Sequence, residues 1–475
     1  MYFFAIASVA IVIWMLIKKA DIKITLFAVG LLLLYVAVCM DKPLKAGSGI
    51  NWLDPFQVII NAFISVLSEA GLIILILGGY AAYMTTIGAN KVTVYVLTRP
   101  LKKIRSPNIL VPFVFLLGNL LSLVVPSASN LAIILLATLY PVLRAAGMSS
   151  LTTAAVIATT ATVMPTPLGG DNVAIAAELA KYPAFSGLTT SQYVFAYHAV
   201  ISIPTLIFMA VVHYVWQKFN DKKDIKRLKS DGVVDVEEMK ADIDTTKVAE
   251  INASLAYKII YALLPIFPII LLLIVYIMGI CKGPSVSLSV PLAVMISFFS
   301  AIVVEVIRHL IKNENLKSVM KDCTSFFKGM ANAFDIVILL VAATVFVNGL
   351  KSIGLITTLE TVMKGTSSSG FVLPLILVLL TALIVLLSGS GTALFYAMVP
   401  LMYTLAVAAG INALAVAIPM GLAGNILRAV SPVSAVICIV AGATKLTPIS
   451  IVKRTSVPMV SGVIFMFILS MIVFL

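Results

Sequence analysis

Apolar runs separated by short polar stretches dominate the chain. Runs at 2–17, 24–40, 68–86, 193–216, 257–279, 287–307 and 456–475 approach or reach the ~20 residues that a membrane-crossing helix needs. An amphipathic stretch at 56–67 leads into the run at 68–86. Two regions depart from this pattern in the same way. In the first, FVFLLGNLLSLVV (113–125) and LAIILLATLYPVLRAAG (131–147) flank a polar tip, Pro126-Ser127-Ala128-Ser129-Asn130. In the second, apolar flanks at 371–387 and 393–410 enclose Ser388-Gly389-Ser390-Gly391-Thr392. Each flank is too short to cross comfortably but long enough to enter a bilayer and turn back. A polar tip at that depth is tolerated only inside protein or against a wet cavity. An offset of 263 residues pairs Ser127 with Ser390, Ser129 with Thr392 and Tyr140 with Tyr403. The match predicts an internal repeat with two re-entrant hairpins, at 109–147 and 371–410.

Each hairpin is followed by a run that cannot be one continuous helix. The first, 151–180, is interrupted at Met164–Asn172 by two prolines and a glycine pair, which remove backbone donors and permit positive φ. Half-helices are expected at 151–164 and 173–180, with Asp171 as N-cap of the second. The other run, 412–444, is interrupted at Gly424–Pro432, between half-helices at 412–424 and 433–444.

Composition fixes the class. Of 475 residues, 61% are hydrophobic and 11% charged, against roughly 25% charged in soluble domains. The expectation is an all-α polytopic membrane protein. The formal net charge of +13 would suggest nucleic-acid binding in a soluble protein, but here the basic residues sit in short loops, so no nucleic-acid partner is expected. The basic loops 18–23, 87–107, 217–230, 308–328 and 445–454 all fit on the cytoplasmic side, which places both termini outside. The two repeats are then entered from opposite sides and have inverted topology, the plan of alternating-access carriers with a midplane site. The expected segments are scaffold spans at 1–55, a first repeat at 56–216, a cytoplasmic linker at 217–253, a scaffold hairpin at 254–310 and a second repeat at 311–475. The first run has no cleavage site and is followed by Lys18 and Lys19, so it reads as an uncleaved span. The four cysteines have neither metal nor disulfide spacing.

The candidate chemistry follows the repeat. Ser127, Ser129, Asn130, Ser388, Ser390 and Thr392 supply hydroxyls and amides at the two tips. Small residues there also let membrane helices approach closely, but two matched clusters favour substrate contact. Arg428 lies about half a span from either flank, near Asn425, Ser431 and Ser434. Its guanidinium suits bidentate pairing with a carboxylate, with an internal ion pair or a clamp on the break as competing roles. Asp171 is a candidate coupling residue as well as a cap. Glu69 and Asp335, paired by an offset of 266, are further coupling candidates, or acids placed by the helix dipole. His198 reads as a hydrogen-bonded packing residue. There is no nucleotide-binding loop, metal-ligand set or Ser/His/Asp constellation, so neither an enzyme nor a resident metal or cofactor is expected, only H+ or Na+ as coupling ion. An ion channel would need a polar stripe running across the membrane, which the sequence lacks.

At GGYAAYMTTIGAN (78–90), PSASN (126–130), SGSGTALFYA (388–397), LRAVSPVSAV (427–436) and KLTPISIVKRTSVP (445–458), the chain resembles the anaerobic C4-dicarboxylate carrier family, DcuC, within the wider ion-transporter superfamily. The resemblance implies exchange, uptake or efflux of fumarate, succinate or malate across the inner membrane of bacteria living without oxygen. It also implies two-hairpin transport domains and a scaffold that often dimerises in that superfamily. Related branches carry amino acids, aminobenzoyl-glutamate or short-chain carboxylates on a similar plan.

Overall fold

The computed structural model describes residues 7–8, 10–12, 14–15, 18, 20–42, 44, 49–104, 106–125, 127–230, 253–282, 287–354 and 370–475. The expected first span at 2–17 falls largely outside these residues, as do Pro126 and most of the linker. Every element that positions the site is helical. Eight helices or helix runs among the described residues are long and apolar enough to cross a membrane. The first are α1 (Ile22–Cys39) and the run α2–α3 (Asp54–Val66 and Leu72–Thr86), joined by a π-helical turn at Leu67–Gly71. After α4 (Ala89–Thr98) come four shorter pieces: α5 (Pro107–Ser122), α6 (Ala128–Thr138), α7 (Ser150–Ala158) and α8 (Gly170–Ala180). The long α9 (Ala199–Ser230) follows, and then α10 (Leu255–Leu263), α11 (Phe267–Lys282), α12 (Val290–Ile311) and α13 (Lys317–Ser352). The chain ends with α14 (Val372–Ser388), α15 (Thr392–Ala408), α16 (Leu414–Leu427), α17 (Ala435–Thr444) and α18 (Pro448–Phe474).

Helix α9 shows how a membrane solvent sorts side chains. Ile203, Ile207, Val211, Val215 and Phe219 recur every fourth residue and are exposed, while Ser202, Thr205, His213 and Gln217 are buried. Polar groups turn inward because lipid offers them no hydrogen bonds. On the inner face, the Gln217 amide donates to His213 Nδ1 (3.2 Å), His213 Nε2 meets Thr159 Oγ1 (3.1 Å), and Arg454 reaches Asp221 (2.9 Å) and Asp224 (2.6 Å). That network ties α9 to α7 and α18.

The helices pack in two groups. Helices α1, α2, α3 and α12 pack on α13, and α4 packs on α10, where Thr93 Oγ1 donates to the Ala262 carbonyl (3.1 Å). In the other group α9 packs on α5 and α18, α16 on α14, α15 and α18, and α17 on α6 and α7. The groups meet where α13 and α8 both contact α15.

Several expected boundaries move. The first break begins at Thr159, not Met164, because α7 ends at Ala158. The second comes later than expected: α16 runs through Leu427, Arg428–Val430 form a 3-10 turn, and the irregular backbone is Ser431–Ser434. The stretch at 87–107, expected as a basic loop, is mostly helical, and the basic start of the linker continues α9 as far as Ser230. Helix α13 runs unbroken from Lys317 to Ser352.

Candidate functional site

A cavity of about 300 Å³ lies between the two groups, at the small end of the roughly 300–1,000 Å³ typical of small-molecule sites. One wall is apolar: Ile74, Leu77, Gly78 and Ala81 of α3, with Ala333 and Ile336 of α13. The other wall is polar and comes from both tips and both breaks: Ser127, Ser390 and Thr392, Thr166, Gly169 and Asp171, and Asn425 and Arg428. Tyr396 completes it, with its hydroxyl above Gly170, where an added Cβ would come within 3.1 Å of the oxygen.

Three helix N-termini border this cavity. Ser127 caps α6 and accepts the Asn130 N–H (3.3 Å), Gly169 and Gly170 open α8, and Gly391 leads into α15 at Thr392. Helix N-termini carry partial positive charge and favour anions. The tip before α15 is held by its own side chains: Ser388 Oγ donates to the Ser390 carbonyl (2.8 Å), and Ser390 Oγ to Thr392 Oγ1 (3.1 Å). Gly389 has φ +78°, and a Cβ there would lie 2.7 Å from the Val433 carbonyl oxygen. Only glycine lets this tip turn and still dock against the second break.

The flanks of the two breaks brace each other. Asn425 Nδ2 donates to Asp171 Oδ2 (2.9 Å), and an Arg428 guanidinium N–H donates to the Ala161 carbonyl (2.6 Å). Asp171 Oδ1 accepts the neighbouring Asn172 N–H (3.0 Å). Asp171 is therefore not the N-cap of α8, as expected. It sits two residues inside the helix, and Gly169 occupies the cap position.

Six of the expected site residues thus line one cavity: Ser127, Ser390, Thr392, Asn425, Arg428 and Asp171. Ser129, Asn130 and Ser388 do not line it. Glu69 lies in the π-helical turn and pairs with Lys181 (3.0 Å), and Asp335 pairs with Lys23 (3.1 Å), so neither reaches the centre. His198 does not follow the hydrogen-bonded packing reading either, since its Nδ1 is buried without a partner among the described residues.

Sequence reasoning missed Asn119 and Asn172. Asn119 Oδ1 accepts the backbone N–H groups of Thr162 (3.0 Å) and Val163 (3.1 Å), while its amide donates to the Phe115 and Thr159 carbonyls. Asn172 donates to the Met164 (3.1 Å) and Thr166 (2.9 Å) carbonyls. Both substitute side-chain amides for the hydrogen bonds the broken helix lacks. A lone asparagine inside the apolar run LLGNLLS was the available signal.

Known proteins share this architecture. The chain superposes on the YdaH transporter of Alcanivorax borkumensis with a TM-score of 0.61 at 16% identity, covering 89% of this chain and 88% of that one. MtrF of Neisseria gonorrhoeae, described with a class of antimetabolite efflux pumps, gives a TM-score of 0.57 at 13% identity, over 88% and 84% of the two chains. These likenesses show the fold. In sequence, the anaerobic C4-dicarboxylate transporter DcuC of Escherichia coli K12 is 35% identical over 94% of this chain and 91% of its own length. A probable DcuC transporter of Vibrio cholerae is 38% identical over 85% and 81%. The profile of the family described as C4-dicarboxylate anaerobic carrier matches residues 2–475, and with such relatives the chain belongs to that family, DcuC.

Proposed function

We propose that this protein is a secondary carrier of C4-dicarboxylates such as fumarate, succinate and malate. It works by alternating access in a bacterial inner membrane, with both termini outside and the two hairpin regions as inverted repeats. The observation that carries the reading is the convergence of three helix N-termini and Arg428 on one cavity. A dianion must lose water to enter a membrane interior, and an uncompensated charge there is very costly. One carboxylate is met by the N-termini and hydroxyls at Ser127, Ser390 and Thr392, and the other by Arg428. An amino-acid substrate would need a free acid for its ammonium group. Asp171, the one acid in the cavity lining, already accepts from Asn425 and from its own helix. H+ or Na+ supplies the driving force, through Asp171.

The test is a competition panel in proteoliposomes, with proton and sodium gradients varied separately. Fumarate, succinate and malate should compete with one another, monocarboxylates should compete only weakly, and amino acids should not compete. Competition by an amino acid as strong as that of succinate would overturn the reading.

A further inference from the structure

Apart from the central cavity, the most unusual chemistry lies in a short stretch ahead of α9. A helical turn at Thr190–Gln192 leads into a π-helical turn at Tyr193–His198, and then into α9. Within twelve residues, four buried polar atoms lack a hydrogen-bond partner among the described residues: Ser191 Oγ, Tyr193 Oη, His198 Nδ1 and Ser202 Oγ. All four side chains are more than nine-tenths buried. A polar atom buried without a partner gives up its hydration and gains nothing in return, so four in one stretch call for a polar occupant. Buried water meets such a demand where several polar partners converge. π-Helical turns concentrate at functional sites.

The placement is directional. Ser191 lines two open clefts beside residues 184–192, of about 500 and 520 Å³. Behind it, the rings of Tyr193 and His198 have centroids 6.0 Å apart, and Ser202 lies one helical turn beyond His198. The π-helical turn packs against α8, whose first turn holds Asp171. Asp171 and Glu178 are the titratable groups that α8 offers to this turn. Glu178 is already engaged by Lys181 (3.1 Å) and Tyr182 (3.2 Å). The helical turn at Thr190–Gln192 contributes none.

We propose that Ser191, Tyr193, His198 and Ser202 form a hydrated proton path from these clefts to Asp171, meeting the substrate cavity only at that carboxylate. The coupling ion is then a proton. It leaves water in the cleft, is taken up at one ring nitrogen of His198 as the other releases one, and ends on the Asp171 carboxylate, which becomes neutral. No other bond changes. The proposal rests on the reading of the protein as a carrier coupled through Asp171.

The experiment uses the full-length carrier in proteoliposomes with a pH-sensitive dye in the lumen. Succinate counterflow is measured alongside proton movement per succinate. Tyr193→Phe removes only a hydroxyl without a protein partner, so the variant should fold as well as the parent. In Tyr193→Phe and His198→Gln, proton-coupled net uptake should fall by about a hundredfold, the low end of what a positioned proton-transfer group contributes, while counterflow is kept. Ser202→Ala should reduce proton flux in the same sense. The proposal is overturned if these variants carry as many protons per succinate as the parent, or if the parent moves succinate with no protons. Absence of succinate counterflow in the parent would identify the dicarboxylate reading itself as the failure.

Discussion

Replacing Arg428 separates its two roles, because one N–H is already committed. Its guanidinium donates to the Ala161 carbonyl at 2.6 Å, bracing the first break from the second, and the residue also lines the cavity. A lysine at this position keeps the charge but has no planar fork, so it cannot hold a break carbonyl and grip a carboxylate in the same geometry. Arg428→Lys should therefore cost one hydrogen bond to a charged group, roughly 1.5–3 kcal/mol. That is about a ten- to hundredfold loss of succinate affinity. Arg428→Ala should abolish dicarboxylate transport while insertion in the membrane is kept. The assay is succinate binding and transport by purified Arg428→Lys carrier, with butyrate as a single-carboxylate comparison and thermal unfolding in detergent as a control. If Arg428 meets the second carboxylate, succinate should suffer more than butyrate. Equal losses for both acids, or unchanged succinate affinity, would refute the ligand role and leave Arg428 as a clamp.

Three further expectations follow from the same geometry. Asp171→Asn leaves an oxygen for the Asn425 amide but removes the charge, so substrate exchange should survive while gradient-driven net uptake collapses; uptake with an unchanged gradient dependence removes Asp171 from coupling. Asn119→Ala strands the Thr162 and Val163 N–H groups, so thermal unfolding should register a loss of roughly 1–3 kcal/mol for each, and an unshifted melting temperature counts against a bracing role. Cysteine labels at Gly187 should react from outside, and labels at Lys222 only after permeabilisation; the reverse pattern inverts the orientation.

The elements that sequence displayed well are those set by local pattern. The four pieces flanking the tips are short apolar helices because their runs are short and their tips hold Gly, Ser and Thr. The breaks were legible as breaks, since proline and glycine mark them, but their limits were not. The first opens at Thr159 because Asn119, some forty residues earlier, supplies hydrogen bonds that let the backbone leave the helix. The second starts late because α16 runs on through Pro419, Gly424 and Asn425 as far as Leu427, so neither proline nor glycine marks its end. The surroundings of Glu69 and Asp335 were hidden for a related reason. Each carboxylate pairs with a lysine distant in sequence, Lys181 or Lys23, and no offset within the chain reveals that. The helix α4 hid behind its charges, because basic residues mark a membrane side and do not exclude a helix packed along it.

What the geometry adds is a division of labour between the walls. The α3–α13 wall contributes no charged side chain to the cavity lining and is packed through glycine: a Cβ on Gly78 would meet that of Ala333 at 2.5 Å, and one on Gly329 would meet the Gly78 carbonyl at 2.4 Å. Such close backbone approach leaves these two helices little room to slide on each other. The charged and hydroxyl-bearing residues of the cavity all lie on the other wall, where Asn425–Asp171 and Arg428–Ala161 join the regions of the two breaks. Separating the breaks would take one hydrogen bond from the Asp171 carboxylate and one from the Ala161 carbonyl, at roughly 1–3 kcal/mol for each group. A change of access that kept the breaks together and moved them as one against the apolar wall would incur neither cost. The smooth wall gives a bound dicarboxylate no polar group to let go of on the way.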